Sequence, residues 1–452
     1  MSRDPQVPQF FRTLRVKNTN QVGVLANVLT VIARHGGSVG DIRTVHHSRT
    51  YVTRDIDLIV ESLADLDVLV DDLAAATTVV ELRDEVLTAH LGGKIKVVSQ
   101  QPIDNFADLG RIYTPGVGEV CRRIFDDPEL ANHYTIIPNT CAIISDGSAV
   151  LGLGNLGPLA AMPVLEGKAA LMAQLVGVNA IPIALNTQDT DEIVRTAAQI
   201  SAGFGVIQLE DISAPRCFDV EPRLQEKVDV AVFHDDQHGT AAVVLAALIN
   251  ACHMAEANPA NLRIGQIGLG AAGLAIARGI MHYTGQPVYG CDRTDAAVKR
   301  LAASGGIPSG LEEILRTSDV VIAATGQAGL IKPEHIRQGQ IIFALSNPRP
   351  EIDATEAINA GARIAESGAA INNLLCYPGA CRGLLDAGAR RSHPDIFRAA
   401  SEALVAVTEH NHLLPNPLDR RVHQAVARAV ARATTDVGLA SRELDADYFA
   451  EE

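Results

Sequence analysis

A chain of 452 residues, 47% of them hydrophobic, is long enough for two or three domains with cores of their own, which excludes general disorder. Its 53 acidic residues outnumber 38 basic ones, for a formal charge of −15, and no Lys/Arg-rich block follows a nucleic-acid backbone or an anionic membrane, so small-molecule partners are expected. MSRDPQVPQF has no apolar signal core, the longest apolar run (Ala241 to Ile249) is too short to span a bilayer, and seven scattered cysteines without a C-x-x-C pair suit reduced thiols; these features point to a cytoplasmic protein with no zinc site.

In FFRTLRVKN, Leu14 and Val16 alternate with charged residues as on a half-buried strand, and NTNQVG supplies a turn. Val24, Leu25, Val28, Leu29 and Ile32 then recur at helical spacing until HGG stops them. VGDIRTVHH pairs with RDIDLIVES, residues 64–76 suit a second helix, and VVELRDEVL a last strand. This βαββαβ order, with N-x-x-G-V-L at Asn20 to Leu25 leading into the first helix, resembles the ACT domain over residues 10–88. The resemblance implies a small regulatory module that commonly binds amino acids; the alternative is a ferredoxin-like domain that only aids assembly.

After LGGKIKVV the style changes to Gly-Pro turns and strand-helix alternation, which sets a boundary near residue 89. An α/β domain is expected over 89–238, and the next boundary near Gly239, before the helix TAAVVLAALINACHM. Within it, RIYTPGVGEV holds Tyr113 in a turn. MPVLEGKAALM puts Lys168 at the start of an apolar helix, where a lysine is a solvated or snorkelling residue, or, desolvated near a cation, a general base of lowered pKa. GVIQLEDI and DVAVFHDDQHGT both end an apolar run in paired carboxylates, Glu210/Asp211 and Asp235/Asp236. Parallel strands expose their carboxyl ends along one crevice, so these acids can converge, and three or four oxygens suit Mg²⁺ or Mn²⁺. Successive strand side chains point to opposite faces, so Glu210 and Asp211 reach one ion only if the strand has already turned. Otherwise they are solvated loop acids or helix caps.

Residues 239–445 read as a Rossmann-type dinucleotide-binding domain. LRIGQIGLGAAGLAIARGI carries Gly268, Gly270 and Gly273, with Ala271 and Ala272 between, after a strand and at the head of a helix, where a pyrophosphate is attracted by free N–H groups. QPVYGCD ends at Asp292, placed to bond the ribose diol of NAD and to repel the extra phosphate of NADP, with Arg293 beside it acting the other way. VVIAATG and IIFALSNP supply two further strand ends.

YTPGV, SDGSAVLGLGNLGP, LEGKA, LED, FHDDQHGTA, ALSNP and NNLLCYPGACRG, in this order over residues 89–440, resemble the malic enzyme family, specifically its shorter bacterial members. The resemblance implies oxidation of (S)-malate with NAD(P)⁺, metal-assisted decarboxylation to enolpyruvate and protonation of the enol. It implies Lys168 as general base, Tyr113 as general acid, and Glu210, Asp211 and Asp236 as metal ligands, with Asp235 supporting them. Asn347, Asn372 and Asn373 resemble the amides that orient malate and the nicotinamide. Where larger members carry an arginine that grips a malate carboxylate, this chain has Ala149, leaving Lys94 or Lys96 as candidates. NAD is the expected cofactor, and a homodimer or larger assembly is expected. The rivals are a malolactic enzyme, which reduces bound pyruvate to lactate, a metal-free ACT-containing 2-hydroxy acid dehydrogenase of the phosphoglycerate type, and an amino-acid sensor built on a dead enzyme.

Overall fold

The computed structural model describes residues 10–60 and 63–449, and the chain parts between Lys94 and Ile95 into two units. In the first, β1 (Phe10–Thr19), β2 (Ser38–His47), β3 (Tyr51–Val60) and β4 (Thr78–Asp84) form one antiparallel sheet in the order β2-β3-β1-β4. Alternation sorts its faces. Leu14, Val16, Ile56 and Leu58 pack with Val28 and Ile32 of helix Val24–Arg34 and with Leu66, Leu69 and Leu73 of helix Leu63–Ala76. Arg15 and Arg83 instead pair with Asp55 at 2.7 and 2.9 Å. The first helix stops at HGG as expected: Gly36 takes φ 69° and the Gly37 N–H donates to Ile32 O. Met1 to Gln9, and Glu61 and Ser62 of RDIDLIVES, lie outside the described residues.

The second unit holds two parallel sheets. β5 (Thr140–Ser145), β6 (Asn179–Ala184), β7 (Val206–Leu209) and β8 (Ala231–His234) run in the order β6-β5-β7-β8. β9 (Ile264–Ile267), β10 (Tyr289–Cys291), β11 (Ile307–Pro308), β12 (Val320–Ala323), β13 (Ile341–Ala344) and β14 (Ile364–Ser367) run in the order β11-β10-β9-β12-β13-β14, the doubly wound order of a dinucleotide-binding sheet. The central strands are buried on both faces, which explains why they read as apolar runs.

Two helices depart from the sequence reading. The helix expected after Gly239 already begins at Asp235 and runs to Met254, so Gly239 lies inside it. β8 ends at His234, and Asp235 and Asp236 fall in the first helical turn, where the free N–H groups favour acids. The helix bearing Lys168 spans Pro158–Val176, which places the lysine mid-helix, because Pro158 at the first turn starts the helix earlier than LEGKA suggests. It is the one described helix long and apolar enough to cross a membrane, and its Leu165, Ala169 and Met172 belong to the main core.

Candidate active site

β7 and β8 are adjacent and parallel, with Leu209 opposite His234, so the residues that follow them meet at one edge. Glu210, Asp211 and Asp236 each bring a carboxylate oxygen within 4.8 Å of the others. The turn that alternation demands is present: Asp211 sits in the left-handed region at φ 54° and redirects the chain directly after Glu210. That conformation costs a non-glycine residue about 1–3 kcal/mol and persists only where its surroundings hold it. Here the Asp211 carbonyl accepts from Ala149 N–H at 2.9 Å, and its N–H donates to Asp236 at 2.9 Å.

Glu210 and Asp211 are 1% and 3% exposed. Burial, followed by the charge of Asp236, pushes Asp211 up to about 7. Burial likewise lifts Glu210 well above the usual carboxylate range, although the Lys168 ammonium pulls the other way. Asp211 Oδ2 is buried without a hydrogen-bond partner. An all-oxygen donor set, an orphaned carboxylate oxygen and crowded negative charge fit a hard divalent cation such as Mg²⁺ or Mn²⁺.

Lys168 is neither solvated nor snorkelling. Its Nζ lies 2.6 Å from Asp235 Oδ2, 3.1 Å from Glu210 Oε1 and 4.3 Å over the Tyr377 ring. The lowered pKa is expected beside a bound cation; with the protein groups alone the balance runs the other way. Burial alone would lower the ammonium, but the carboxylates of Asp235 and Glu210 override burial and hold it well above its ordinary value. Gly239 makes this grip possible: a Cβ there would collide with Asp235 Oδ1 and stand 3.5 Å from the Asn373 Cβ, so the same gap places Asn373 beside the cluster. Asn372 is exposed and uses its Oδ1 to cap Leu374 N–H at 2.9 Å. Tyr113 is not gathered in; it is 66% exposed, between helices Phe106–Ile112 and Val117–Asp126. Lys96 is exposed as well.

At the other sheet, Gly268 takes φ 84°, and a Cβ there would strike Ala324 O, so the tight turn after β9 admits no side chain. Gly270 precedes helix Ala271–Thr284, whose first turn, including Ala271, Ala272 and Gly273, has no side-chain cap. Gly268, Gly270, Asp292, Arg293 and Thr325 line a cavity of about 480 Å³. Asp292 accepts from Leu269 N–H at 2.8 Å, and from the N–H and hydroxyl of Thr294 at 2.8 Å each. Burial opposes its charge, yet these donors prevail and hold Asp292 below its ordinary value. Asn347 links the halves of the site: a Cβ on Gly152, in the SDGSAVLGLGN loop, would come within 2.7 Å of Asn347 O.

Sequence reasoning missed three residues along the two edges. Tyr377 stood inside a quoted motif, but nothing in YPG reveals that its ring lies under Lys168. Arg216, which binds the buried Asp146 carboxylate and approaches Ser148 Oγ at 3.3 Å, follows LED by too little to read as more than a loop cation. Glu351 looks like a surface acid in RPEID.

A dinucleotide-type sheet and an oxygen-donor cluster with a gripped lysine define an α/β oxidoreductase of the metal-assisted class. The sequence matches the family "Malic enzyme, N-terminal domain" over residues 92–225 and the "ACT domain" over residues 9–83. It is 48% identical over 426 residues to the NAD-dependent malic enzyme 1 of Bacillus subtilis, covering 93% of this chain and 97% of that one. It is 38% identical to the bifunctional malic/malolactic enzyme of the same organism, covering 82% and 97%. The fold matches the crystal structure of malic enzyme from Pyrococcus horikoshii with a TM-score of 0.76 at 36% identity, covering 81% and 94%. The chain belongs to the malic enzyme family and carries an ACT domain ahead of its malic enzyme N-terminal domain.

Proposed function

We propose that the protein is a cytoplasmic NAD-dependent malic enzyme, taking (S)-malate and NAD⁺ to pyruvate, CO₂ and NADH. The observation that carries this reading is that Lys168 shares Glu210 with the cluster of oxygen donors. Glu210, Asp211 and Asp236 would hold a divalent cation, whose contribution there would be Lewis-acid polarisation of the substrate hydroxyl and carboxylate. Lys168, having first released its ammonium proton to solvent, takes the hydroxyl proton as hydride leaves C2 for the nicotinamide. With Glu210 engaged elsewhere, one of the two holds on the Lys168 proton is relaxed, while Asp235 keeps the amine aimed. Asn347 and Asn373 orient the nicotinamide and the substrate, and Asp292 with the glycine loop holds the adenosine end.

Tyr113 is assigned the return of a proton to C3 of the enol. Its exposure asks for a cover, and so do Val97, Phe106 and Phe125, which are 95%, 92% and 86% exposed in the same stretch of chain. We assign that cover to a second copy in a homodimer, since apolar surface of this kind marks interfaces. In the ACT unit, Asn20 Nδ2 donates to Ser48 O at 2.8 Å, and Gly23 opens the first helix at φ 90° without a side-chain cap. An amino acid or small carboxylate is the effector class suited to it. Such linkage is typically worth about 1–3 kcal/mol, and a screen of amino acids against malate affinity tests it.

The 48% relative is named for the NAD-dependent reaction and the malic/malolactic one is more distant, which favours pyruvate as the released product. An assay with malate, Mn²⁺ and NAD⁺ decides. Equal amounts of NADH and pyruvate support the reading, and lactate without net NADH replaces it with the malolactic one.

A further inference from the structure

Glu351 is fully buried, and among the described residues no Lys, Arg or His forms an ion pair with it. Its carboxylate instead accepts four hydrogen bonds: from Thr325 N–H at 2.7 Å, Thr325 Oγ1 at 2.8 Å, Ser346 N–H at 3.2 Å and Ser346 Oγ at 2.6 Å. Ser346 Oγ in turn accepts from Gly326 N–H at 2.8 Å. A buried carboxylate without a cation is tolerable only when donors replace its lost water, and these do.

The donors come from two places. Thr325 and Gly326 follow β12, Ser346 follows β13, and the two strands are paired with Ala323 opposite Ala344. One side chain therefore clamps neighbouring strand ends at the carboxyl edge of the dinucleotide sheet. The main chain reinforces it: Glu351 O accepts from Ile331 N–H at 3.0 Å, and Pro350 O from Gly329 N–H at 3.1 Å.

Each jaw touches a working surface. Ala324 and Thr325 line the dinucleotide cavity. Asn347, next after Ser346, sets its carbonyl against Gly152, and a Cβ on Gly368 would stand 3.0 Å from the Asn347 Nδ2. Gly152 lies in the loop whose Ala149 N–H holds the strained Asp211. A continuous set of contacts thus runs from the dinucleotide cavity through Glu351 to the metal-side loop.

We infer that Glu351 is a positioning residue for hydride transfer: by tying Thr325 and Gly326 to Ser346, it sets Asn347 against both the nicotinamide and the metal-side loop. The inference rests on the oxidoreductase reading above.

The test uses the full-length enzyme and three separate readouts: turnover of malate, NADH binding followed by NADH fluorescence, and Mn²⁺ binding by electron paramagnetic resonance. Glu351→Gln turns an acceptor oxygen into a donor facing donors. It lowers kcat by about 10- to 100-fold, in the range of misplaced reacting groups, and weakens NADH binding while Mn²⁺ affinity is unchanged. Ser346→Ala and Thr325→Val each remove one hydroxyl and produce the same pattern at roughly 3- to 10-fold, with less than additive loss when combined. These milder variants carry the test if Glu351→Gln does not fold. Folded variants with unchanged kcat and NADH affinity overturn the inference, as does Mn²⁺ affinity falling in step with kcat, which marks general structural damage. A wild-type enzyme that binds NADH but does not turn over malate overturns the functional reading instead, and the NADH and Mn²⁺ arms still decide the clamp.

Discussion

The two carboxyl edges of the second unit treat their acids in opposite ways. At the metal-side edge, Glu210, Asp211 and Asp235 are buried against one another with a single ammonium among them, and Asp211 Oδ2 and Asp235 Oδ1 have no hydrogen-bond partner. At the dinucleotide edge, Asp292 and Glu351 are supplied with N–H and O–H donors from adjacent strand ends. Asp211 is driven up to about 7, while Asp292 is held below its ordinary value. Burial alone does not separate the two edges, since Glu351 is buried as deeply as Glu210. A carboxylate satisfied by the protein shapes backbone, and one left in deficit marks the place where a ligand completes the charge balance.

Substituting Lys168, the ammonium shared by Glu210 and Asp235, breaks this contrast hardest. Lys168→Ala lowers kcat by about 10²–10⁴-fold, the usual contribution of a positioned base, while Mn²⁺ binding persists because the three donor carboxylates remain. Parallel loss of Mn²⁺ binding would merge two roles that are here kept apart. Next in size is the metal itself: Mn²⁺ at about a hundred times its Kd stabilises the chelator-treated protein by about 2.7 kcal/mol, read as a rise in unfolding midpoint. No rise at saturating Mn²⁺ removes the cation from the account.

The pH dependence sharpens the contrast further. Asp211 keeps its proton in the folded, metal-free protein up to about pH 7, whereas the unfolded chain releases it near its ordinary value of 3.8. The folded state therefore binds more protons in that window, so this group's stabilising effect is complete below about pH 4 and is lost as pH rises through 7. Denaturation midpoints with chelator should fall from pH 5 to 8, and Mn²⁺ should flatten that slope. A metal-free midpoint that climbs over this range contradicts the assignment. The smallest effect belongs to the satisfied edge: Asp292→Ala narrows the preference for NAD over NADP, and weakens both because Leu269 and Thr294 lose their acceptor. An unchanged ratio removes Asp292 as discriminator.

Motif order carried the family, and strand ends carried the idea of a shared cation, because both are written in contiguous residues. What stayed hidden depends on a neighbour distant in sequence or on a backbone angle. Alternation alone sends Glu210 and Asp211 to opposite faces, and only φ 54° at Asp211 reunites them. LEGKA told of a lysine on a helix but not of Asp235 waiting 2.6 Å away, and that partner, with Glu210, holds its pKa up against burial. Glu351 was invisible for the same reason: its four donors belong to Thr325 and Ser346.

Gly239 leaves a mark on how this chain can change. A glycine inside a helix costs roughly 1 kcal/mol relative to alanine, so anyone hardening the protein against heat would fill that position early. The added methyl would land on the Asp235 oxygen and push aside the carboxylate that grips Lys168. The chain is thereby barred from an easy gain in robustness, and a homologue with any side chain at this position must hold its lysine in some other way.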